Sequence, residues 1–358
     1  KPSLDQINHA LQPLVSDMLI FWRTGVFYSR TFNHRFGRLA RCALVPVVCD
    51  LLAARQVSGF GSHNAKYFCS VCKLLHVDRN NIDFRNWTMR SLIEHRNDAQ
   101  AWRDKTSNHQ RQKAFKENSV RWSVLLELPY WDPIRYTVID SMHNHYLGLL
   151  QSHVRDLWGM NAEADDVQGE ETPLEPDEIR NAEAQLAQGS KTALGKALAS
   201  WITLLGQLHE AMPKTLLPSW MNPVPANVGL KVRGKLSADQ WHTFCVVNLP
   251  IVLIPLWHGQ GGRERDMLDN FMDLVTAIVI GGLLEMSEHW AQLYEEATSR
   301  YLQKALELYH FDVTPNQHNA LHIPFFFRLF GPLHSVRTFF SERKNFLLQR
   351  LNTNSRFG

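Results

Sequence analysis

No stretch of this 358-residue chain has the marks of secretion or membrane insertion. Its start, Lys1-Pro2-Ser3, lacks the apolar core of a signal peptide, and its longest aliphatic run, Leu274 to Leu284, is too short to span a bilayer. Cysteine is scarce: Cys42, Cys49, Cys69, Cys72 and Cys245 do not form a secreted disulfide framework, which points to a reducing compartment. Charge of one sign is not in excess either. A net charge of +3 means that nucleic-acid binding cannot rest on global charge. There is no internal repeat and no low-complexity tract. The first residue is not Met, so a fragment of a longer protein is expected. Acids are also missing locally. None falls between Phe21 and Cys49, where Arg23, Arg30, Arg35, Arg38 and Arg41 are interleaved with aromatics. That pattern suits contacts to a phosphate backbone, and a solvated face with no ligand accounts for it as well.

What is present is enough to bury a core: 44% of residues are hydrophobic and 20% charged. Ile7, Leu11, Leu14, Met18 and Trp22 keep helical spacing behind a Ser3/Gln6 capping pattern. They predict a helix over 4–23, with a kink or a late start at Pro13. Cys42-Ala-Leu-Val-Pro-Val-Val-Cys49 reads as a buried strand, which puts Asp50 at a strand's carboxyl end. Residues 61–120 are polar and loop-rich with short helices. Leu125–Leu128 and Tyr136–Ile139 read as extended pieces. Met142, Tyr146, Leu149, Leu150, Val154 and Leu157 predict a helix over 141–158. Residues 161–178 hold eight acids and no Lys or Arg, a solvated loop or insertion and the best candidate boundary. Residues 178–310 read as mostly helical, broken at Pro213 to Pro225, at Gly259 to Gly262 and at Gly281-Gly282. Three parts are therefore expected: 1–160, a mainly helical 161–310, and 311–358.

The residues that carry chemistry are far apart. Cys69-x-x-Cys72 has the turn spacing that lets two thiolates grip one tetrahedral ion, although a buried cysteine pair or a redox dithiol shares it. Thr314-Pro-Asn-Gln317 is a capping box that starts a helix carrying His318 and His322 on one face. Those imidazoles could complete a zinc site with the two cysteines, or be ordinary core or surface histidines. Asp50 is a candidate catalytic carboxylate, with a capping role as the plainer reading. Asp140 stands at a helix start, also a capping position, and His143 follows one turn in. Glu342 lies in a C-terminal helical segment for which Phe339, Phe340, Phe346 and Leu347 are expected as core.

Several strings together resemble one family. They are Ala43-Leu-Val-Pro-Val-Val-Cys-Asp50-Leu-Leu-Ala-Ala-Arg55-Gln-Val-Ser-Gly59-Phe60, Phe68-Cys-Ser-Val-Cys72, Leu128-Pro-Tyr-Trp-Asp-Pro-Ile-Arg135, Asp140-Ser-Met-His-Asn144-x-Tyr-Leu-Gly-Leu-Leu150, Leu236-Ser-Ala-Asp-Gln-Trp241 and Thr314-Pro-Asn-Gln-His318. The chain resembles, over nearly its whole length, the transposases of fungal CACTA-related and Kyakuja–Dileera–Zisupton (Plavaka-like) DNA transposons. The resemblance implies an α/β fold: a ribonuclease-H-like catalytic core with a DDE triad, a large mainly α-helical insertion and a structural zinc site. Asp50 matches the second catalytic Asp, Asp140 and His143 match the Asp-x-x-His motif, and Glu342 matches the catalytic Glu. The spacing is also similar to that in the V(D)J recombinase catalytic subunit, where zinc takes a Cys-x-x-Cys after the second Asp and two histidines before the Glu. Here Cys69 is 19 residues after Asp50, and Glu342 is 20 after His322.

The implied activity is metal-dependent cleavage and transfer of double-stranded DNA at transposon terminal repeats. The implied cofactors are Mg²⁺ (or Mn²⁺) on Asp50 and Glu342 and Zn²⁺ on Cys69, Cys72, His318 and His322. Arg55, Arg35, Arg38 and Arg41 are the expected DNA contacts. A homo-oligomer in a synaptic complex, a nuclear location and no membrane partner complete the expectation. The chain departs from the family at Phe339-Phe340-Ser341-Glu342-Arg343-Lys344-Asn345, where the family has aromatic-Pro-Phe-Glu-Arg-Tyr-Asn, and no residue matches the first catalytic Asp. The alternative is therefore a decayed or domesticated derivative that binds DNA or protein and cuts nothing.

Overall fold

The computed structural model describes residues 4–159, 204–225, 228 and 236–350. The acidic stretch 161–178 and Ser3 of the expected capping box lie outside them. The described residues are mostly helical, and their only sheet is the antiparallel pair β1 (Val26–Tyr28) and β2 (Arg38–Ala40). The chain divides into two units. One comprises Lys1–Met142, Gly281–Gln292 and Asp312–Gly358; the other comprises His143–Ile280 and Leu293–Phe311. The first division falls at Met142.

In the first unit, the Leu4–Arg23 helix runs through Pro13 without a late start. Its inward stripe is Leu11, Val15, Met18 and Leu19, packed on Val124, Leu125, Leu126, Leu128 and Trp131. Leu14 and Trp22, expected in that stripe, are exposed, so the true face lies one residue round from the predicted one. Leu125–Leu128 is not extended. Val124–Glu127 is a turn of 3₁₀ helix, and the Arg96 guanidinium satisfies the carbonyls of Leu126, Leu128 and Trp131 at 2.9, 3.2 and 2.9 Å.

The expected strand over 42–49 is a correction. Only Val47 bridges, in parallel to Thr137: Val47 N–H donates to Tyr136 O (2.7 Å) and Val138 N–H to Val47 O (3.2 Å). Pro46 has no N–H to offer a ladder, which limits pairing on that segment. Side chains hold the segment instead. Leu44 N–H donates to the Tyr130 hydroxyl (3.0 Å), and Trp131 Nε1–H donates to Val45 O (3.3 Å).

The second unit is helical. Residues 142–150 and 153–157 wind as π-helix, wider than the predicted α-helix, with Tyr146, Leu149, Leu150 and Val154 still buried. Helices Arg263–Gly281 and Glu288–Tyr309 run antiparallel, joined by Asn270 to Tyr301 O (2.8 Å) and Arg300 to Asp273 (3.0 Å). The breaks expected at Gly259–Gly262 and after Gly281 are observed. The continuous helical run Ala238–Trp257 is long and apolar enough to cross a membrane by length and composition, contrary to expectation, but half of it is buried, as in a core helix.

His145 and His153 meet Tyr294 (2.8 Å) and Tyr301 (3.2 Å) along the Glu288–Tyr309 helix. Burial among Trp158, Phe271, Tyr301 and Tyr309 pushes the His153 pKa down to about 3. The folded state therefore keeps His153 neutral while the unfolded chain protonates it below about 6.5. Stability falls as pH drops through that window, by roughly 2.3 kcal/mol per chain between pH 6.5 and 4.5 from this residue alone. Denaturant titrations at pH 7 and 4.5 should show His153→Gln losing less on acidification than wild type. An equal acid loss would contradict this burial effect.

Candidate metal centre

Cys69, Cys72, His318 and His322 converge, as the spacing argument expects. All four are buried, and one ligand atom from each lies within 4.8 Å of the others. Cys72 Sγ is 3.3 Å from His318 Nε2, which is 3.3 Å from His322 Nε2. For bonds of about 2.3 Å to sulfur and about 2.05 Å to nitrogen, the edges of a tetrahedron are roughly 3.3–3.8 Å long. These two distances match edges of a tetrahedron of ligands around one zinc ion, and the four groups could hold such an ion.

Local chemistry on both sides builds the geometry. The Cys-x-x-Cys turn folds so that amides two residues on point at the sulfurs: Val71 N–H donates to Cys69 Sγ (3.3 Å), and Leu74 N–H to Cys72 Sγ. Amide donors stabilise thiolates. Opposite them, Thr314 Oγ1 accepts from Gln317 N–H (3.3 Å) and Gln317 Oε1 accepts from Thr314 N–H (2.8 Å), the predicted capping box. That cap starts the Pro315–Ala320 helix, which buries His318 three residues on. Helix Ile323–Phe330 follows at once, with His322 as its N-cap residue, and the bend keeps both imidazoles on one side. Two further ties bring the cysteine loop to this segment. Asp312 accepts from Arg79 and Asn80, and Asn80 Oδ1 accepts from Val313 N–H at 2.8 Å.

The surroundings are dry and aromatic. Trp87 stacks on His318 at 4.2 Å and 19°, and Phe68 lies 4.6 Å from the same ring. Sequence reasoning gave Trp87 no role. The electrostatics follow from two sulfurs in such a site. Burial alone would raise the Cys69 thiol, but the hydrogen bond from Cys72 and the charges of His322 and His318 bring it well below its ordinary value. Cys72 is pushed far up, first by donating to Cys69 and then by burial. Burial drives the His318 pKa down, against the opposing charge of Cys69. A cation held by both sulfurs would displace the thiol protons. The donor set fits zinc: two sulfurs and two neutral imidazoles, closed to solvent, as in structural sites.

Arg55, expected on DNA, is buried instead, with Nε and Nη2 lacking hydrogen-bond partners among the described residues. Burial lowers its pKa to about 10, against the raising effect of the Cys69 charge. It is a counter-charge near the sulfurs, not a surface contact. Arg90 acts similarly, donating to Cys69 O (2.8 Å) and Tyr67 O (3.2 Å). Arg35, Arg38 and Arg41 are exposed.

The carboxylates are placed differently. Asp50 does not end a strand; it caps the Leu51–Ser58 helix, accepting from Ala53 N–H at 2.9 Å. Gly59 closes that helix with φ +83°, where a Cβ would come 2.4 Å from Arg121 O. Asp140 is buried and accepts from Thr338 N–H (3.0 Å) and Thr338 Oγ1–H (2.7 Å). Thr338 is the N-cap residue of helix Phe339–Gln349, which carries Glu342 in its first turn. Asp140 therefore anchors the Glu342 helix, a link no sequence signal announced. Cys49 lies near both acids: burial, then the charges of Asp50 and Asp140, push its thiol up to about 12. Glu342 itself is exposed, and Phe340, Phe346 and Leu347, expected as core, are exposed too. His143 is half-buried in the second unit.

Among the described residues, the only metal-holding group of three or more Cys, His, Asp or Glu side chains is the Cys/His quartet. Asp50, Asp140 and Glu342 do not form one; Asp50 caps a helix and Asp140 accepts from Thr338, so this arrangement does not fit a magnesium pair. No family model matches the chain, and no curated protein does.

Proposed function

We propose that this chain is the zinc-tied core of a DDE-type transposase, acting on double-stranded DNA at transposon ends. The observation that carries the proposal is the buried quartet. A Cys-x-x-Cys shortly after Asp50 meets two histidines shortly before Glu342, across 246 residues of sequence. A cluster of that composition with no catalytic opening suits a tie, and what it ties are the segments bearing two of the three implied carboxylates. The parallel contact of Val47 with Thr137 supports the same reading. Three residues beyond each partner stands an Asp, Asp50 on one segment and Asp140 on the other. That one parallel bridge, with an acid just beyond each partner, is the fragment of a ribonuclease-H-like core that supports the reading. A synaptic homo-oligomer and a nuclear location belong to the proposal.

One observation favours a second reading, a transposase derivative that binds DNA without cutting it. Asp50 is engaged in capping a helix and Asp140 in holding Thr338, and among the described residues no acidic trio gathers. Asp50→Asn decides between the two. Asn caps a helix about as well as Asp, whereas Ala there costs about 1 kcal/mol. With the full-length protein, transposon-end DNA and Mn²⁺, wild type is expected to nick the DNA and Asp50→Asn to be at least about 100-fold slower, at unchanged thermal midpoint. A wild type that binds the ends and never nicks them supports the derivative. Full cleavage by Asp50→Asn defeats the assignment of Asp50.

A further inference from the structure

The β1–β2 hairpin is built with more care than a surface ornament needs. Val26 pairs with Ala40, Phe27 with Leu39 and Tyr28 with Arg38. Residues 29–37 form an ordered loop. Thr31 and His34 exchange backbone hydrogen bonds at 3.0 and 3.3 Å, Gly37 N–H donates to His34 O at 3.2 Å, and Arg38 Nη1–H donates to His34 Nε2 at 2.9 Å. Gly37 has φ +85°, and a Cβ there would lie 2.4 Å from the Phe27 ring, so the loop closes only with glycine. These bonds close the loop on itself, and its rings are left out. Phe32 is 103% exposed and Phe36 95%, with Phe27 at 63% on the adjoining strand. Leaving such rings in water forgoes about 1.5–3 kcal/mol each. They do nothing for the fold.

The charge around the rings is of one sign. From residue 18 to residue 49 there are five arginines and no acid. None of the five pairs with a carboxylate among the described residues. Exposed rings between unpaired guanidinium groups demand a ligand with both flat apolar faces and regular negative charge. An apolar protein surface would strip water from five cations and give nothing back. A closed duplex offers phosphates, but its bases already stack on one another.

We propose that the hairpin is a stacking platform for an unpaired DNA strand. Phe32 and Phe36 take base faces, while Arg30, Arg35 and Arg38 follow the phosphates. The choice of DNA rests on the transposase reading; a strand opened at a DNA end is the ligand that reading supplies.

The test is fluorescence anisotropy with a short mixed-sequence oligodeoxynucleotide, single-stranded or duplex, in calcium buffer without magnesium or manganese. Phe32→Ala/Phe36→Ala should weaken single-strand binding about 10- to 100-fold and duplex binding only slightly. It should leave the melting temperature unchanged, because both rings project from the fold. Arg35→Ala/Arg38→Ala should weaken both ligands and flatten the salt dependence. Wild-type affinity in the phenylalanine variant, or equal losses on strand and duplex, overturns the proposal. So does tighter binding of the matching oligoribonucleotide, or binding only to anionic phosphatidylserine vesicles. Cleavage is not read here, so the two proposals fail separately. A chain that cuts transposon ends with its rings removed defeats only the platform, and one that grips strands through its rings but never cuts defeats only the catalytic reading.

Discussion

Replacing His318 and His322 together with alanine should leave the chain without zinc and its first unit without a cooperative fold. Wild type should carry one zinc per chain by plasma mass spectrometry, and the double variant none. The size of the effect follows from two magnitudes. Structural zinc sites bind with apparent free energies of about 10–16 kcal/mol. Whole domains are stable by about 5–15 kcal/mol. Loss of the ion therefore removes a contribution as large as the total. The variants also remove packing, because Trp87 and Phe68 lie against the His318 ring. Large-to-small changes in such a place cost about 3–5 kcal/mol on their own. Chelation of the wild type separates the two effects, since it takes the ion and leaves every ring in place. Chelated wild type should melt far below the loaded protein, and Cys69→Ser, which disturbs little packing, should behave like it. A folded wild type without metal, equally stable in chelator, would mean that the quartet is only a buried polar cluster.

The quartet was legible in the sequence because its residue types are rare and its chemistry demanding. Each pair alone has ordinary uses, but the two pairs together, at a spacing shared with a related family, pointed to one site. The capping box at Thr314 was readable for a similar reason: its hydrogen bonds are local, so the residues that make it sit side by side. What failed depended on distant partners. Val-rich residues 42–49 have strand propensity, yet their neighbours are the side chains of Tyr130 and Trp131 and one bridge to Thr137. Propensity describes a fit to a sheet and does not supply the sheet. Arg55 was expected on DNA only because the family resemblance implied it. The charge of Cys69, 14 residues on, gives it a reason to be buried. The winding of 142–150 could not be read at all. Over nine residues, α and π spacing bury nearly the same apolar positions.

Asp140→Ala should be the second large loss. Asp140 and Thr338 are 198 residues apart and both buried, and the carboxylate accepts two hydrogen bonds from that one residue. Bonds to an ionised acceptor contribute about 1.5–3 kcal/mol each. Alanine deletes them and strands two buried donors, so a loss of roughly 3–5 kcal/mol in unfolding free energy is expected, with loosening of helix Phe339–Gln349. Hydrogen exchange should report it as faster exchange of the Glu342 and neighbouring amides, in a helix whose exposed Phe340, Phe346 and Leu347 give it little other anchorage. Asp140→Asn separates anchoring from chemistry. Its carbonyl oxygen can still accept from Thr338, so most of the stability and the slow exchange should survive. If Asp140 serves only as an anchor, the Asn variant keeps whatever DNA cleavage the wild type has. If its charge also serves the reaction, that variant should stay folded, hold its helix and cut no DNA. An Asn variant as unstable as the Ala variant would show that the negative charge itself carries the anchor, placing Asp140 in the electrostatics of the fold and not in those of the reaction.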